Sequence, residues 1–305
     1  MSNATTAGVL WAILTLGAGN AAGQTPDERW QFGSAPSFSS GKYGTDTRTD
    51  VLYTPVTARR LFDDGDLTLV FPFTCVWGDA VSVINGSPVP TERSNVSTSD
   101  AAGGRSGTDS SRAGRTGTSS GTTRGAGTAA VGSSTDAPAT EASGCGMGDI
   151  IARGRYYVLD ERGILPTVAI RAHVKVPTAS AERGFGTGRP DEGIAIEISR
   201  SFGAGTLAMV DGGYTVIGKP TDVDYNNTWW YDVGIGQDMA KGLVNVSLFF
   251  EEYGAIVPGF ENARQVLGVV SFKGANGWRL QLAGELGLSD GGPDRGVTFG
   301  ASRRF

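Results

Sequence analysis

Apart from one interruption, the chain from Trp30 to Phe305 is a succession of short segments in which apolar and polar side chains alternate. In the last of them Val297, Phe299, Ala301 and Phe305 fall on one side, and Gly296, Thr298, Gly300, Ser302 and Arg304 on the other. A period of two is the mark of a strand with one apolar face. Lipid offers the backbone no hydrogen-bond partner, so only helices and closed sheets can span it. A barrel wall needs an apolar side chain only at every second position, which a chain with 39% hydrophobic residues and 47 glycines can supply. The pattern therefore predicts an all-β, antiparallel, up-and-down transmembrane β-barrel.

The strand-like segments are 30–40, 47–59, 67–77, 149–158, 167–176, 192–202, 206–217, 228–237, 243–252, 265–273, 278–287 and 296–305. Most are about ten residues long, enough for a tilted strand to cross the hydrocarbon. Their connections sort by length. Those at 61–66, 159–165, 203–205, 238–242 and 274–277 are short. Between them lie longer ones at 78–148, 177–191, 218–227, 253–264 and 288–295. Outer-membrane barrels have short periplasmic turns and long outer loops. With the last strand ending in the periplasm, every long connection falls outside the cell. An even count follows, about twelve strands, with ten as the alternative if 30–40 is not a strand. A soluble β-sandwich would alternate too, but has no reason to sort its loops or to end on an aromatic residue.

The apolar run 7–16 is too short for the ~20 residues of a spanning helix and is followed by small residues, the order of a secretory leader. The expected organisation is a signal peptide over 1–23 and a barrel over 24–305, the latter carrying a low-complexity outer loop at 85–144. The stretch 94–134 has no aromatic residue and no large aliphatic residue other than Val. It cannot bury enough apolar area to offset its ordering entropy and is expected to be disordered. A net charge of −5 without a basic stripe speaks against nucleic acid as a partner. Two cysteines, Cys75 and Cys145, flank the insertion and could pair in an oxidising compartment. Alternation puts Cys75 outward with Leu69, Phe71 and Phe73, an orientation that counts against the bridge.

The same alternation assigns an inner face. Val168, Ile170, Ala172 and Val174 look outward, leaving Arg171, His173 and Lys175 inside. Arg153 and Arg155 share the inner face of the preceding strand. Glu197, Glu251, Arg279 and Glu285 fall inside theirs. Arg or Lys on the lipid face at mid-membrane would cost roughly 2–4 kcal/mol each, so their segregation is informative. These nine residues are the candidate lumen lining, as a salt-bridged scaffold or as a constriction that selects solutes. Trp229, Trp230, Tyr231 and Tyr214 lie near strand ends and suit an interfacial girdle. Arg303 is discordant, since it shares the lipid side of Phe305.

No catalytic, cofactor-binding or metal site emerges. His173 is the one histidine of the chain, and no hydrolase motif surrounds it. The run Gly184–Phe185–Gly186–Thr187–Gly188 opens no helix and so is not a dinucleotide loop. Asp222, Asp224, Asp290 and Asp294 do not have the spacing of a calcium loop.

Several short motifs carry a resemblance. They are Gly146–Met147–Gly148–Asp149, Val174–Lys175–Val176–Pro177–Thr178, Phe185–Gly186–Thr187–Gly188, Gly213–Tyr214–Thr215, Gly287–Leu288–Ser289–Asp290, Pro293–Asp294 and the terminal Phe305. In that order and spacing the chain resembles the outer-membrane transporter family of the meta-pathway of phenol degradation. The resemblance implies a bacterial outer-membrane barrel, in contact with lipid, that passes small aromatic or hydrophobic solutes; with the sorted loops and the polar inner face, passive uptake is the expected function. The alternative is a non-transporting surface protein whose long loop mediates interaction or shielding.

Overall fold

The computed structural model describes residues 29–78, 81–84, 87–90, 142, 144–203, 205–221 and 223–305; the expected leader, most of the insertion and Asp222 lie outside the described residues. The strands are β1 (Trp30–Ser34), β2 (Ser37–Gly41), β3 (Thr49–Phe62), β4 (Gly65–Trp77), β5 (Val81–Ile84), β6 (Ser87–Pro90), β7 (Gly144–Met147) and β8 (Ile150–Leu159). They continue with β9 (Thr167–Val176), β10 (Asp191–Phe202), β11 (Thr206–Val216), β12 (Thr228–Met239), β13 (Val244–Tyr253), β14 (Ala263–Lys273), β15 (Trp278–Gly287) and β16 (Arg295–Arg304).

All but β5 and β6 belong to one antiparallel sheet that closes on itself, because β16 pairs with β15 on one side and with β1 and β2 on the other. The seam is completed at its periplasmic end by reciprocal backbone bonds between Trp30 and Phe305, at 3.1 and 2.8 Å. Closure removes the free edges that lipid could not satisfy. Two staves of the barrel are each made of two strands. Pro36, which has no N–H, interrupts the first between β1 and β2, yet its carbonyl still accepts from Phe299 N at 3.0 Å. The other break separates β7 from β8 at Gly148–Asp149, and both halves pair with β4. Counted as staves, the barrel has twelve strands.

The expected connection over 78–148 needs correction at both ends. It contains the hairpin β5–β6, and the strand after it begins at Gly144 rather than near 149. Val81-Ser-Val-Ile alternates, and Asn85-Gly86 is a strong signal for a tight hairpin turn. Composition averaged over the insertion hides both.

Exposure is inverted relative to a water-soluble sheet. Ile194 and Ile196 are 59% and 53% exposed, whereas Glu197 is 6%. The same holds around the wall, with Leu248, Leu282, Val297 and Phe299 outward and Ser247, Ala283 and Thr298 inward. In water such a surface would forgo roughly 25 cal/mol for each Å² of apolar area, so its solvent is lipid. Arg303 does point outward, at the periplasmic rim. Its guanidinium sits 4.6 Å from the ring centre of Phe305 and 5.8 Å from that of Trp278, where a cation packs on aromatic faces within reach of headgroups.

Glycines on the inner face make room for rings from the next strand. A Cβ at Gly234 would collide with the Phe249 ring. Replacing Gly234 by alanine is expected to destabilise the barrel by about 1–3 kcal/mol through overpacking. It should unfold at lower temperature on heat-shifted gel electrophoresis; an unchanged transition would show that the ring has somewhere else to go.

The extracellular end carries its own apolar packing. Val83 of β5 is buried with Tyr43, Val51, Val76, Ala142 and Phe185, against the strand ends of β3 and β4. Its neighbour Ile84 is buried with Ile217, Tyr225, Ile256 and Val257, from the loops after β11 and β13. The N–H of Val83 also bonds Gly184 O at 2.7 Å, in the loop after β9. The hairpin therefore lies across the mouth and touches loops from widely separated strands. Below it Cys75 and Cys145 stand directly opposite each other on β4 and β7 and are joined by a disulfide. Both project to the same outer face, so an outward Cys75 is no obstacle to a bond when its neighbour is outward too.

Candidate functional site

Inside the wall a cavity of about 100 Å³ runs from Gln31, Asp66 and Arg279, near the periplasmic ends of their strands, up to His173 and Trp230. Its charged lining among the described residues is Arg59, Arg153, Arg155, Arg171 and Arg279, with Asp66 the one carboxylate. Strand pairing explains the concentration. Arg155 and Arg171 are direct cross-strand partners on β8 and β9, Arg153 pairs with His173 one step up, and Asp66 and Thr68 of β4 face Arg155 and Arg153.

Like charges facing each other repel unless opposed. The opposition comes from a row of acids on the next strands, Glu197, Asp211, Asp232 and Glu251, each the register partner of the one before. Arg155 reaches Glu197 at 3.1 Å, and Arg171 pairs with Asp211 while lying 3.8 Å from Glu197. Arg59 binds Asp66 at 2.5 Å. Glu251 is fully buried and accepts from Gln265 Nε2 at 2.6 Å. The lumen is thus polarised across its width, with guanidinium groups at the cavity wall and most of the carboxylates packed behind them.

The residues expected to line the lumen separate into groups. Arg153, Arg155, Arg171, His173 and Arg279 bound the cavity. Glu197, Glu251 and Glu285 face inward but are 6% exposed or less and do not bound it. Lys175 is buried beneath the loop after β9, where its Nζ lies 3.1 Å from both Asp149 and Asp191 and 3.0 Å from Thr187 Oγ1. That group ties an outer loop to the strands that flank it.

Sequence reasoning passed over two luminal features. Trp230 does not join Trp229 and Tyr231 in the girdle. It points inward, stacks on Tyr253 at 6.3 Å and carries the Arg171 guanidinium over its ring at 5.3 Å. The signal was present, since neighbours in a strand face opposite ways and Trp230 sits between two outward aromatics. The second feature is apolar. Phe249, Leu267, Val269 and Ala283 pack together on the inner face with Ala35, filling the β13–β15 side of the barrel. Strand β14 has apolar residues on both faces, which blurs the alternation that would have marked Leu267 and Val269 as internal.

No helix among the described residues is long and apolar enough to cross a membrane, so the crossing is made by strands. No group of metal-binding side chains is found among the described residues.

Comparisons with known proteins agree with this architecture. The family described as "Putative MetA-pathway of phenol degradation" matches residues 91–305. No curated protein shows a significant sequence match to the chain. Among solved structures, the COG4313 outer membrane channel from Pseudomonas putida F1 superposes with a TM-score of 0.59 at 10% identity, over 93% of this chain and 100% of that one. The Ralstonia pickettii toluene transporter TbuX matches at a TM-score of 0.43 and 9% identity, covering 91% of this chain and 90% of its own. The CymD monoaromatic hydrocarbon channel gives 0.41 and 9%, over 91% and 89%. With a closed twelve-stranded wall, a lipid-facing exterior and a family match over most of its length, the chain belongs to the family of the MetA-pathway of phenol degradation and has the fold of an outer-membrane β-barrel.

Proposed function

We propose that the barrel mediates passive uptake of small aromatic solutes across the outer membrane. The observation that carries this reading is the luminal cavity, which runs from the periplasmic ends of its strands toward the loop-covered mouth and is bounded by Trp230 as well as by polar groups. A cavity of roughly 150 Å³ holds benzene, and the space here, at about 100 Å³, has room for no more than a single ring. The association of the family with phenol degradation points to the same solute size. Liposome swelling with purified, refolded protein tests it. Single-ring solutes should enter protein-containing liposomes severalfold faster than protein-free ones, and equal rates would remove the proposal.

The hairpin β5–β6 across the mouth favours a second reading, a surface protein that transports nothing and presents its insertion to partners. That reading expects deletion of residues 90–140 to abolish a surface phenotype while solute entry is unchanged.

A further inference from the structure

We infer that the luminal cavity is a binding site for a small organic anion, a single-ring aromatic carboxylate in particular. The inference rests on the uptake reading and adds to it the charge of the solute.

The starting point is which charges a solute in the cavity would touch. Five of the six charged side chains at the wall, His173 aside, are arginines. The carboxylates that offset them, Glu197 and Asp211, pair with the guanidinium groups but do not line the cavity. A neutral hydrocarbon would therefore displace solvent from fixed cations and give nothing back, an unfavourable exchange. A carboxylate would instead receive charge-assisted bonds from planar donors whose fork matches its own geometry. One donor is already short of an acceptor: Nε of Arg59, which lines the cavity, is buried and has no hydrogen-bond partner among the described residues.

The rest of the ligand is indicated by the wall next to the arginines. The Arg171 guanidinium carbon lies 5.3 Å from the Trp230 ring centre, so a cation and an indole adjoin at the upper end of the cavity. Guanidinium and indole both accept an aromatic ring against their faces or edges. Ala35 and Ala195 complete an apolar side with no polar group to satisfy. A flat ring bearing one carboxylate fits both halves of this lining. The bland reading is that the arginines serve only to neutralise the inner acids. It accounts for Arg155 and Arg171 but does not explain why the guanidinium groups bound the cavity while Glu197 and Asp211 do not.

Calorimetric titration of the full-length folded protein in detergent with sodium benzoate, sodium acetate and benzyl alcohol tests the assignment. Benzoate should bind about tenfold or more tightly than benzyl alcohol, the margin expected of a charge-assisted pair, and more tightly than acetate. The double variant Arg153→Gln/Arg279→Gln leaves the pairs of Arg155 and Arg171 in place. It should bring benzoate and benzyl alcohol within about twofold of each other, whereas Arg153→Lys/Arg279→Lys should retain part of the margin. Heat-shifted gel mobility establishes that each variant is folded. Benzyl alcohol binding as tightly as benzoate, acetate matching benzoate, or a margin untouched in the glutamine variant would each overturn the assignment. Swelling assays separate this from the uptake reading. Benzoate binding without solute entry would remove uptake and leave the site, while entry of both solutes without a binding margin would do the reverse.

Discussion

Replacing Lys175 with methionine is expected to lower the stability of the folded barrel by about 3–5 kcal/mol, the cost of leaving buried charge without its partner. The ammonium is fully buried, 3.1 Å from each of two carboxylates that are 3% and 0% exposed. Asp149 sits at the break between β7 and β8 and also accepts from Ala179 N at 2.9 Å in the loop after β9. Asp191 opens β10 and accepts from Gly218 N at 2.8 Å in the loop after β11. Loss of the cation would set two acids against each other at a point where outer loops are fastened to the wall. The transition measured by heat-shifted gel mobility should fall well below that of the parent. The triple variant Asp149→Asn/Lys175→Met/Asp191→Asn, which removes all three charges, should recover most of the loss. If the single variant melts with the parent, the triad is not holding the loops.

The second large effect concerns the covered mouth. Ile84→Asp puts a carboxylate among Ile217, Tyr225, Ile256 and Val257, where no packed residue brings a cation and the Tyr225 hydroxyl is the one side-chain donor of the cluster. Burying an unpaired charge costs several kcal/mol, so the hairpin should leave its seat while the wall stays intact. At 1.4 kcal/mol for each factor of ten, a cost of about 3 kcal/mol would shift the seated-to-released balance by roughly a hundredfold. Single-channel recording should show a conductance severalfold above that of the parent. The Cys75–Cys145 bond would still hold the neck of the insertion, so reduction by itself should have a smaller effect than the substitution. Equal conductance in parent and variant would mean that the hairpin does not obstruct the path.

How much of this was legible in the chain differs from element to element. Strand positions and the sorting of short and long connections were readable because side-chain direction in a strand is a local property with a period of two. Val244, Val246, Leu248 and Phe250 alternate with Asn245, Ser247 and Glu251, and no knowledge of neighbours is needed to give them faces. Strand β14 shows the limit of that rule. With Val266, Leu267, Val269 and Val270 on both faces, the pattern cannot tell the lipid side from the apolar cluster inside. Trp230 was misplaced for a different reason. Being aromatic and near a strand end suggested the girdle, but its position in the alternation turns it into the lumen.

The candidate site was legible only as a set of inward charges. Alternation named Arg153, Arg155, Arg171, His173, Lys175, Glu197, Glu251, Arg279 and Glu285 together. It could not distinguish Lys175, sealed beneath a loop, from Arg153 at the cavity wall. The pairing of Cys75 with Cys145 was equally out of reach, because a face is a property of one strand and a disulfide needs the register of two.

By itself the sequence determined the solvent of this protein: a repeated apolar face on strands of membrane-spanning length requires lipid outside and a closed ladder of backbone bonds. It also determined which side chains turn inward, since backbone geometry decides that residue by residue. Tertiary structure alone decided what those side chains meet. Register between strands set Arg155 beside Arg171 and lined up Glu197, Asp211, Asp232 and Glu251. Curvature of the closed wall left the cations facing the cavity, and loop packing laid Val83 and Ile84 across the mouth. These contacts join residues far apart in the chain, and a one-residue slip of any strand would abolish them while preserving the composition of every segment.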